Sequence, residues 1–137
     1  MNIKALWEKA VEFHGHTCPG LAMGVVVSKI VLEELGDRAK RRELVAIVEN
    51  VSCPVDGIQA LLGCTFGKKN LIHKDTGKPV YTFYNRQTKR AIRVSKKQDA
   101  LYRRPEQPKE RQDQIDTILK RGRDLFNVQE VTISLPD

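Results

Sequence analysis

Apolar residues recur at helical spacing at the start of the chain. They follow a three- and four-residue rhythm: Ile3, Leu6, Trp7, Ala10 and Val11. This rhythm predicts a helix with one buried face. Asn2 can cap its first turn, and we expect the helix to end near His14 and Gly15.

The next apolar segment predicts a longer helix, from Pro19 to Leu35. Proline is favoured at the first helical position, and Gly36 supplies a C-terminal stop. Apolar residues spread around most of its circumference: Val25, Val26, Val27, Ile30 and Val31. Because such a helix is packed on more than one side, we expect it at the centre of the domain.

Shorter periods follow. Residues 43–49 contain a β-branched, apolar run that is typical of a buried strand, and a short helix is expected at 54–62. Residues 81–84 and 90–94 alternate around a turn at 85–88, which predicts an antiparallel hairpin.

The last third of the chain predicts one helix and one strand. Pro105 and Pro108 are expected to open a charged helix whose apolar residues face the core: Ile115, Ile118, Leu119 and Leu125. Residues 131–135 are interpreted as a final strand. The sum is a single α+β domain over residues 1–137, with helices packed on a mainly antiparallel sheet.

Composition narrows the class of protein. A chain of 137 residues, 40% hydrophobic and 30% charged, is typical of one globular domain. No apolar run approaches the roughly 20 residues of a membrane span, and no secretory signal precedes the first helix. We therefore expect a cytoplasmic protein with no membrane partner, in which the three cysteines stay reduced.

The net charge of +7 raises a nucleic-acid hypothesis, because clustered Lys and Arg neutralise phosphates. The basic residues concentrate in 86–97 and 103–123, where they can equally line solvated faces. The chain lacks interleaved aromatic residues and any recognisable nucleic-acid motif, so this hypothesis ranks last.

The first chemical cluster packs His14, His16 and Cys18 into five residues, just before the second predicted helix. Imidazole and thiolate are ligands that zinc, nickel, copper and iron prefer. Any one of these residues could instead cap a helix or fill the core. Their co-location favours a metal site, with one transition-metal ion per protomer. Zinc is the expected ion, with nickel and iron as alternatives.

The second cluster begins at Cys53, which again precedes a proline at a predicted helix start. If the two helix heads converge, Cys53 becomes the fourth metal ligand. Asp56 and Gln59 could then orient the ligands or bind a small molecule; alternatively, Asp56 stabilises a helix N-terminus. Cys64 follows the helix stop at Gly63 and is either a member of the cofactor-binding site or a buried structural residue.

These segments resemble one known family. Residues 13–20 read Phe-His-Gly-His-Thr-Cys-Pro-Gly, 53–59 read Cys-Pro-Val-Asp-Gly-Ile-Gln, and 63–71 read Gly-Cys-Thr-Phe-Gly-Lys-Lys-Asn-Leu. Together with Tyr-Thr-Phe-Tyr-Asn-Arg at 81–86, they are similar to the FmdE family, named after a component of molybdenum- or tungsten-dependent formylmethanofuran dehydrogenase. The similarity runs from about residue 10 to residue 95.

The resemblance implies an α+β core, a metal or active-site-like pocket and a homodimer. It also implies an accessory role beside the molybdenum or tungsten subunits in one-carbon metabolism and methanogenesis. Two departures stand out. No cysteine follows Cys64, so the C-terminal zinc finger of many members has no counterpart. Gly57 replaces a more usual Ala, which should cost at most about 1 kcal/mol.

Two functions remain ahead of nucleic-acid binding. In the first, the protein binds a metal and handles that metal or a small ligand as an accessory subunit. In the second, it is an enzyme in its own right, with Cys18, Cys53 and Asp56 as catalytic candidates. An open metal position would activate water, or a thiolate would act as nucleophile.

Overall fold

The computed structural model describes residues 2–36, 43–97 and 106–135. Within them, four α-helices and a five-stranded sheet form one α+β domain, which confirms the predicted fold class. The helices are α1 Ile3–His14, α2 Pro19–Leu35, α3 Cys53–Leu62 and α4 Pro108–Arg121. The strands are β1 Leu44–Val48, β2 Leu71–His73, β3 Val80–Asn85, β4 Ala91–Lys96 and β5 Phe126–Val131.

The sheet has the order β2-β1-β3-β4-β5. Strands β1 and β2 are parallel, and every other neighbouring pair is antiparallel. Ala46, Phe83 and Ile92 are in register on three adjacent strands and are all buried. They pack with α2 in the main hydrophobic core, so one face of the sheet supports the helices that carry the chemical residues.

The two N-terminal helices form as their sequences predict. The Asn2 side chain accepts a hydrogen bond from the Lys4 amide at 2.9 Å, and Gly15 ends α1 with φ of 89°, a conformation that favours glycine. Helix α2 begins at Pro19 and ends at Leu35, as predicted. Nearly all of its residues are buried, which confirms its central position.

Helices α2 and α3 pack unusually closely at one point. A Cβ atom added to Gly24 would lie 2.3 Å from the carbonyl oxygen of Pro54 and 2.7 Å from its Cα. Both are backbone atoms, which cannot move aside as a flexible side chain would. Glycine at position 24 therefore allows the head of α3 to lie against the first turns of α2.

The predicted hairpin is confirmed as β3 and β4, and the Asn85 side chain accepts hydrogen bonds from the amides of Gln87 and Thr88 in its turn. The predicted final strand at 131–135 is wrong, because β5 ends at Val131. The antiparallel ladder begins at Lys96 with Phe126 and runs out at Ala91 with Val131. Beyond that pair, the partner strand has turned away.

The short parallel strand β2 was not predicted, since three residues are too few to show a period. The charged helix begins at Pro108 as expected, while Pro105 falls outside the described residues. No helix in the described ranges is long and apolar enough to cross a membrane.

Candidate metal centre

The loop between α1 and α2 places the first group of chemical residues. His14 is the last residue of α1, and the left-handed Gly15 turns the chain back toward the head of α2. Cys18 caps that head, and its sulfur accepts a hydrogen bond from the Leu21 amide at 3.4 Å. The sulfur of Cys18 is thereby held near His14.

Three side chains converge there. One ligand atom from each of His14, His16 and Cys18 lies within 4.8 Å of the other two. The two imidazole centroids are 4.2 Å apart, and His14 Nε2 lies 3.9 Å from Cys18 Sγ. Ligands that share one zinc ion at about 2.0–2.3 Å are themselves roughly 3.3–3.8 Å apart. Small side-chain adjustments would therefore let all three hold the same ion.

Asp56 fixes the orientation of His14. Its Oδ2 atom lies 2.7 Å from His14 Nδ1, and its Oδ1 atom accepts a hydrogen bond from Gln59 Nε2 at 3.2 Å. With Nδ1 donating to the carboxylate, Nε2 of the same ring is left for a metal. The His14 side chain is 10% exposed and that of Asp56 is 38% exposed, so the pair closes one side of the centre from solvent.

Cys53 lies beside this group rather than within it. Its thiol hydrogen-bonds with that of Cys18, and a Cβ atom added to Gly20 would lie 3.2 Å from Cys53 Cβ. Burial, followed by the neighbouring Cys18 and Asp56, raises the pKa of the Cys53 thiol from its usual 9.0 to about 11. The convergence of the two helix heads is as hypothesised. Cys53 as a fourth ligand stays a prediction.

Cys64 lies at the opposite end of α3. It is fully buried in the main core, and its thiol donates to the Leu44 carbonyl oxygen at 3.4 Å. Gly63 ends the helix with φ of 71° and leads the chain toward β2. The structure thus does not bring Cys64 to the three-residue group. His73 is near another carboxylate, 4.0 Å from Asp75, and is also remote in the fold.

A cavity of about 230 Å³ adjoins the centre. Gly20 and Cys53 form its wall on the metal side, and β3, β4 and β5 contribute Tyr81, Lys96 and Phe126. Sequence reasoning missed these three residues. Lys96 was detectable, because it continues the alternation of Ile92 and Val94 with a charge.

Two basic residues of the C-terminal half are ion-paired. Arg90 contacts Glu34 and Glu130, and Arg123 contacts Glu34. The hydrogen bond with Arg123 is the main cause that lowers the pKa of Glu34. These pairs join α2 to the sheet and to the end of α4, so part of the positive charge supports the fold.

The fold and the His-His-Cys group define an α+β protein with a candidate transition-metal centre. The family model described as "FmdE, Molybdenum formylmethanofuran dehydrogenase operon" matches residues 13–133, and the chain belongs to this family. An FmdE-like protein of tungsten formylmethanofuran dehydrogenase, from Syntrophus aciditrophicus, has the same fold, with a TM-score of 0.74 and 23% sequence identity. The similarity covers 98% of this chain and 74% of that protein.

A curated relative gives a second comparison. The protein from Archaeoglobus fulgidus named "Probable S-adenosyl-L-methionine-binding protein" is 41% identical over 91 residues. The alignment covers 63% of this chain and 25% of the relative. The chain thus spans about a quarter of the length of that protein.

Proposed function

We propose that the protein binds one transition-metal ion through His14, His16 and Cys18 and handles that metal, or a small ligand beside it, as an accessory protein. Zinc is the expected ion, because a mixed imidazole and thiolate set suits it well. The observation that carries the proposal is the mutual approach of the three ligand atoms to within 4.8 Å.

The surroundings of His14 support this function. A metal-binding histidine usually donates its second ring N–H to a carboxylate or carbonyl, which fixes its tautomer and ring orientation. Asp56 supplies that carboxylate at 2.7 Å, and Gln59 orients Asp56 in turn. A histidine that only ended α1 would not need this chain of contacts.

Three ligands leave a coordination position for water or a small molecule, as in catalytic zinc sites. Cys53 is close enough to Cys18 to complete the set in a metal-loaded protein, which would close the centre. An open centre favours ligand handling or a metal-dependent enzyme, whereas a closed one favours a structural or storage role. The number of thiolates on the metal is therefore the decisive quantity.

The metal content of anaerobically purified protein tests the proposal. We expect about one metal ion per chain in the wild type and a loss of most of it in Cys18→Ser and His16→Ala. His73→Ala is the matched control, because His73 lies outside the group. Folded wild-type protein that takes up no zinc, nickel or iron would contradict the proposal.

The role of Asp56 has its own test. Asp56→Asn should weaken metal binding by about 10–100-fold, the usual effect of losing a partner that orients a ligand. Asp75→Asn changes a second carboxylate that faces a histidine, His73, and should leave metal affinity unchanged. Equal effects of the two substitutions would show that Asp56 does not act through His14.

The family suggests the setting of this activity. We infer a homodimer that assembles with subunits of a molybdenum or tungsten enzyme of one-carbon metabolism. The support is membership of a family whose description names the molybdenum formylmethanofuran dehydrogenase operon. Affinity purification of the tagged chain from its own host should recover such subunits, and sedimentation of the purified chain should give the dimer mass.

Binding of S-adenosyl-L-methionine is a second candidate function. The identity of 41% to the Archaeoglobus fulgidus relative and the cavity beside Cys53 favour it. The size of the cavity does not: about 230 Å³ is below the roughly 300–1,000 Å³ of sites for drug-sized ligands. Equilibrium dialysis with labelled S-adenosyl-L-methionine tests it, and saturable binding that survives metal removal would support it.

A further inference from the structure

The cavity beside Cys53 has mostly apolar walls. Met23 from α2, Pro54 from α3, Pro79 before β3 and Phe126 from β5 line it. An apolar cavity of roughly 150 Å³ can hold a benzene molecule. At about 230 Å³, this one has room for a ring or short aliphatic chain with a small polar substituent.

Lys96 introduces a positive charge where the pattern of the strand calls for an apolar residue. Alternate residues of β4 point to the same face, and Ile92 and Val94 on that face are 1% and 0% exposed. Lys96 is the next residue in this series and pairs with Phe126 across the ladder. The described residues that line the cavity include no carboxylate.

The wall at Tyr81 supplies neutral polar groups. Tyr81 is 3% exposed, and burial raises the pKa of its hydroxyl, while hydrogen bonds with Ser52 and Asn50 act in the opposite direction. The hydroxyl therefore stays protonated at physiological pH. Ser52 and Asn50 also line the cavity and are joined by a hydrogen bond of 2.9 Å. This wall offers hydrogen bonds and no negative charge.

We propose that the cavity binds a small organic monocarboxylate with an apolar body. The carboxylate pairs with Lys96, and the body packs against Met23 and Phe126. Because Cys53 lines both the cavity and the candidate metal centre, the far end of such an acid lies next to that centre. One cation and apolar walls suit a single negative charge better than a phosphate, which needs more donors.

A matched pair of probes tests the charge requirement in the unmodified protein. Benzoate and benzamide have the same ring and nearly the same size, but only benzoate is an anion. Titration calorimetry should show saturable binding of benzoate, at least about tenfold tighter than that of benzamide, because a charge-assisted hydrogen bond is the stronger one. Hexanoate and hexanamide repeat the comparison with an aliphatic body.

Two adjacent lysines provide the matched variants. Lys96→Met keeps a long, flexible side chain and removes the charge, so the preference for each acid over its amide should disappear. Lys97→Met removes the neighbouring charge, which does not line the cavity, and should keep the preference. Circular dichroism confirms that both variants are folded. Equal binding of acid and amide by the wild type, or no saturable binding of either acid, would overturn the proposal.

The inference does not depend on the proposed metal. His16 does not line the cavity, so His16→Ala and metal-stripped wild-type protein should bind benzoate within about twofold of the metal-loaded chain. If benzoate binding disappears with the metal, the acid binds the ion and not Lys96, and the proposal fails. If the chain holds no metal but still prefers benzoate through Lys96, only the metal proposal fails.

Discussion

Helices α2 and α3 both begin with a cysteine followed by a proline, yet the two cysteines differ by one position relative to their helix. Cys18 is the cap of α2, and its sulfur accepts a hydrogen bond from the Leu21 amide. Cys53 is the first residue of α3, and the cap before it, Ser52, makes no side-chain hydrogen bond to the helix. Cys18 faces the imidazoles, whereas Cys53 also lines the cavity.

This offset divides the work of two similar motifs. A sulfur held by an amide at the helix cap is fixed in direction, which suits a metal ligand. A thiol in the first turn, partly buried and with a raised pKa, is protonated in the metal-free protein and faces the cavity. Substitutions at the two helix heads test whether the two cysteines really differ in this way.

The largest effect is expected where the two helices touch. Gly24→Ala would place a methyl group 2.3 Å from the Pro54 carbonyl oxygen, so the heads of α2 and α3 must separate. We expect a loss of about 3 kcal/mol in the free energy of unfolding, at the upper end for overpacking, and a parallel loss of metal binding. Urea denaturation measures the first quantity. Gly67→Ala is the control, because nothing lies within 4 Å of its added Cβ.

A smaller effect should separate the two thiols. Cys18→Ser should reduce metal affinity by more than about 100-fold, beyond the roughly 10–100-fold typical of residues outside the coordination sphere. Cys53→Ser should reduce it by about tenfold or less. Competition with a chromophoric chelator gives both affinities. Equal losses would mean that Cys53 is a fourth ligand and that the centre is closed.

Most of the framework of this site could be predicted from the sequence, because helix starts and stops are local events. Asn2, Gly15, Pro19 and Gly36 each act through the backbone of their own turn. The same holds for the placement of the two Cys-Pro pairs at helix heads. The turn of β3 into β4 was predictable for this reason too, since Asn85 satisfies the amides of its own turn.

What could not be predicted depends on distant partners. The end of β5 is set by where β4 runs out, and the run of β-branched residues near 131 gave a misleading local pattern. The contact between Asp56 and His14 joins residues 42 positions apart, so spacing could propose it but not place it. The cavity collects residues from five elements and adjoining loops, and no local period reveals such a set.

The raised pKa of Cys53 predicts a slow thiol. In metal-free protein, Cys53 should remain a thiol up to pH about 11, where an ordinary cysteine is already ionised above 9.0. Alkylation by iodoacetamide at pH 8 should therefore be about 100-fold slower than for an exposed cysteine, since only the thiolate reacts. Peptide mapping of the labelled protein measures the rate. Half-maximal reactivity near pH 9 would show that burial does not act on Cys53.

The same shift has a consequence for stability. The neutral thiol is favoured in the folded metal-free protein, so the stabilising contribution is present below pH 9.0 and is lost as the pH rises through about 11. Unfolding in urea across this range should show the decline in the wild type. It should be smaller in Cys53→Ser, which has no group that ionises there.

The smallest effect is expected on the other side of the helix contact. Gly57→Ala would place a methyl group 3.1 Å from the carbonyl carbon of Gly24 and 3.3 Å from the Val25 amide nitrogen. The helices must shift by a few tenths of an ångström, while alanine adds about 1 kcal/mol of helix propensity. The two effects nearly cancel, so we expect a net loss of less than about 1 kcal/mol in urea denaturation and unchanged metal affinity. A loss as large as that of Gly24→Ala would mean that the contact cannot yield at all. An unchanged affinity would show that the cluster of His14, His16 and Cys18 tolerates a small movement of α3, as expected if Cys53 stands beside the centre and not within it.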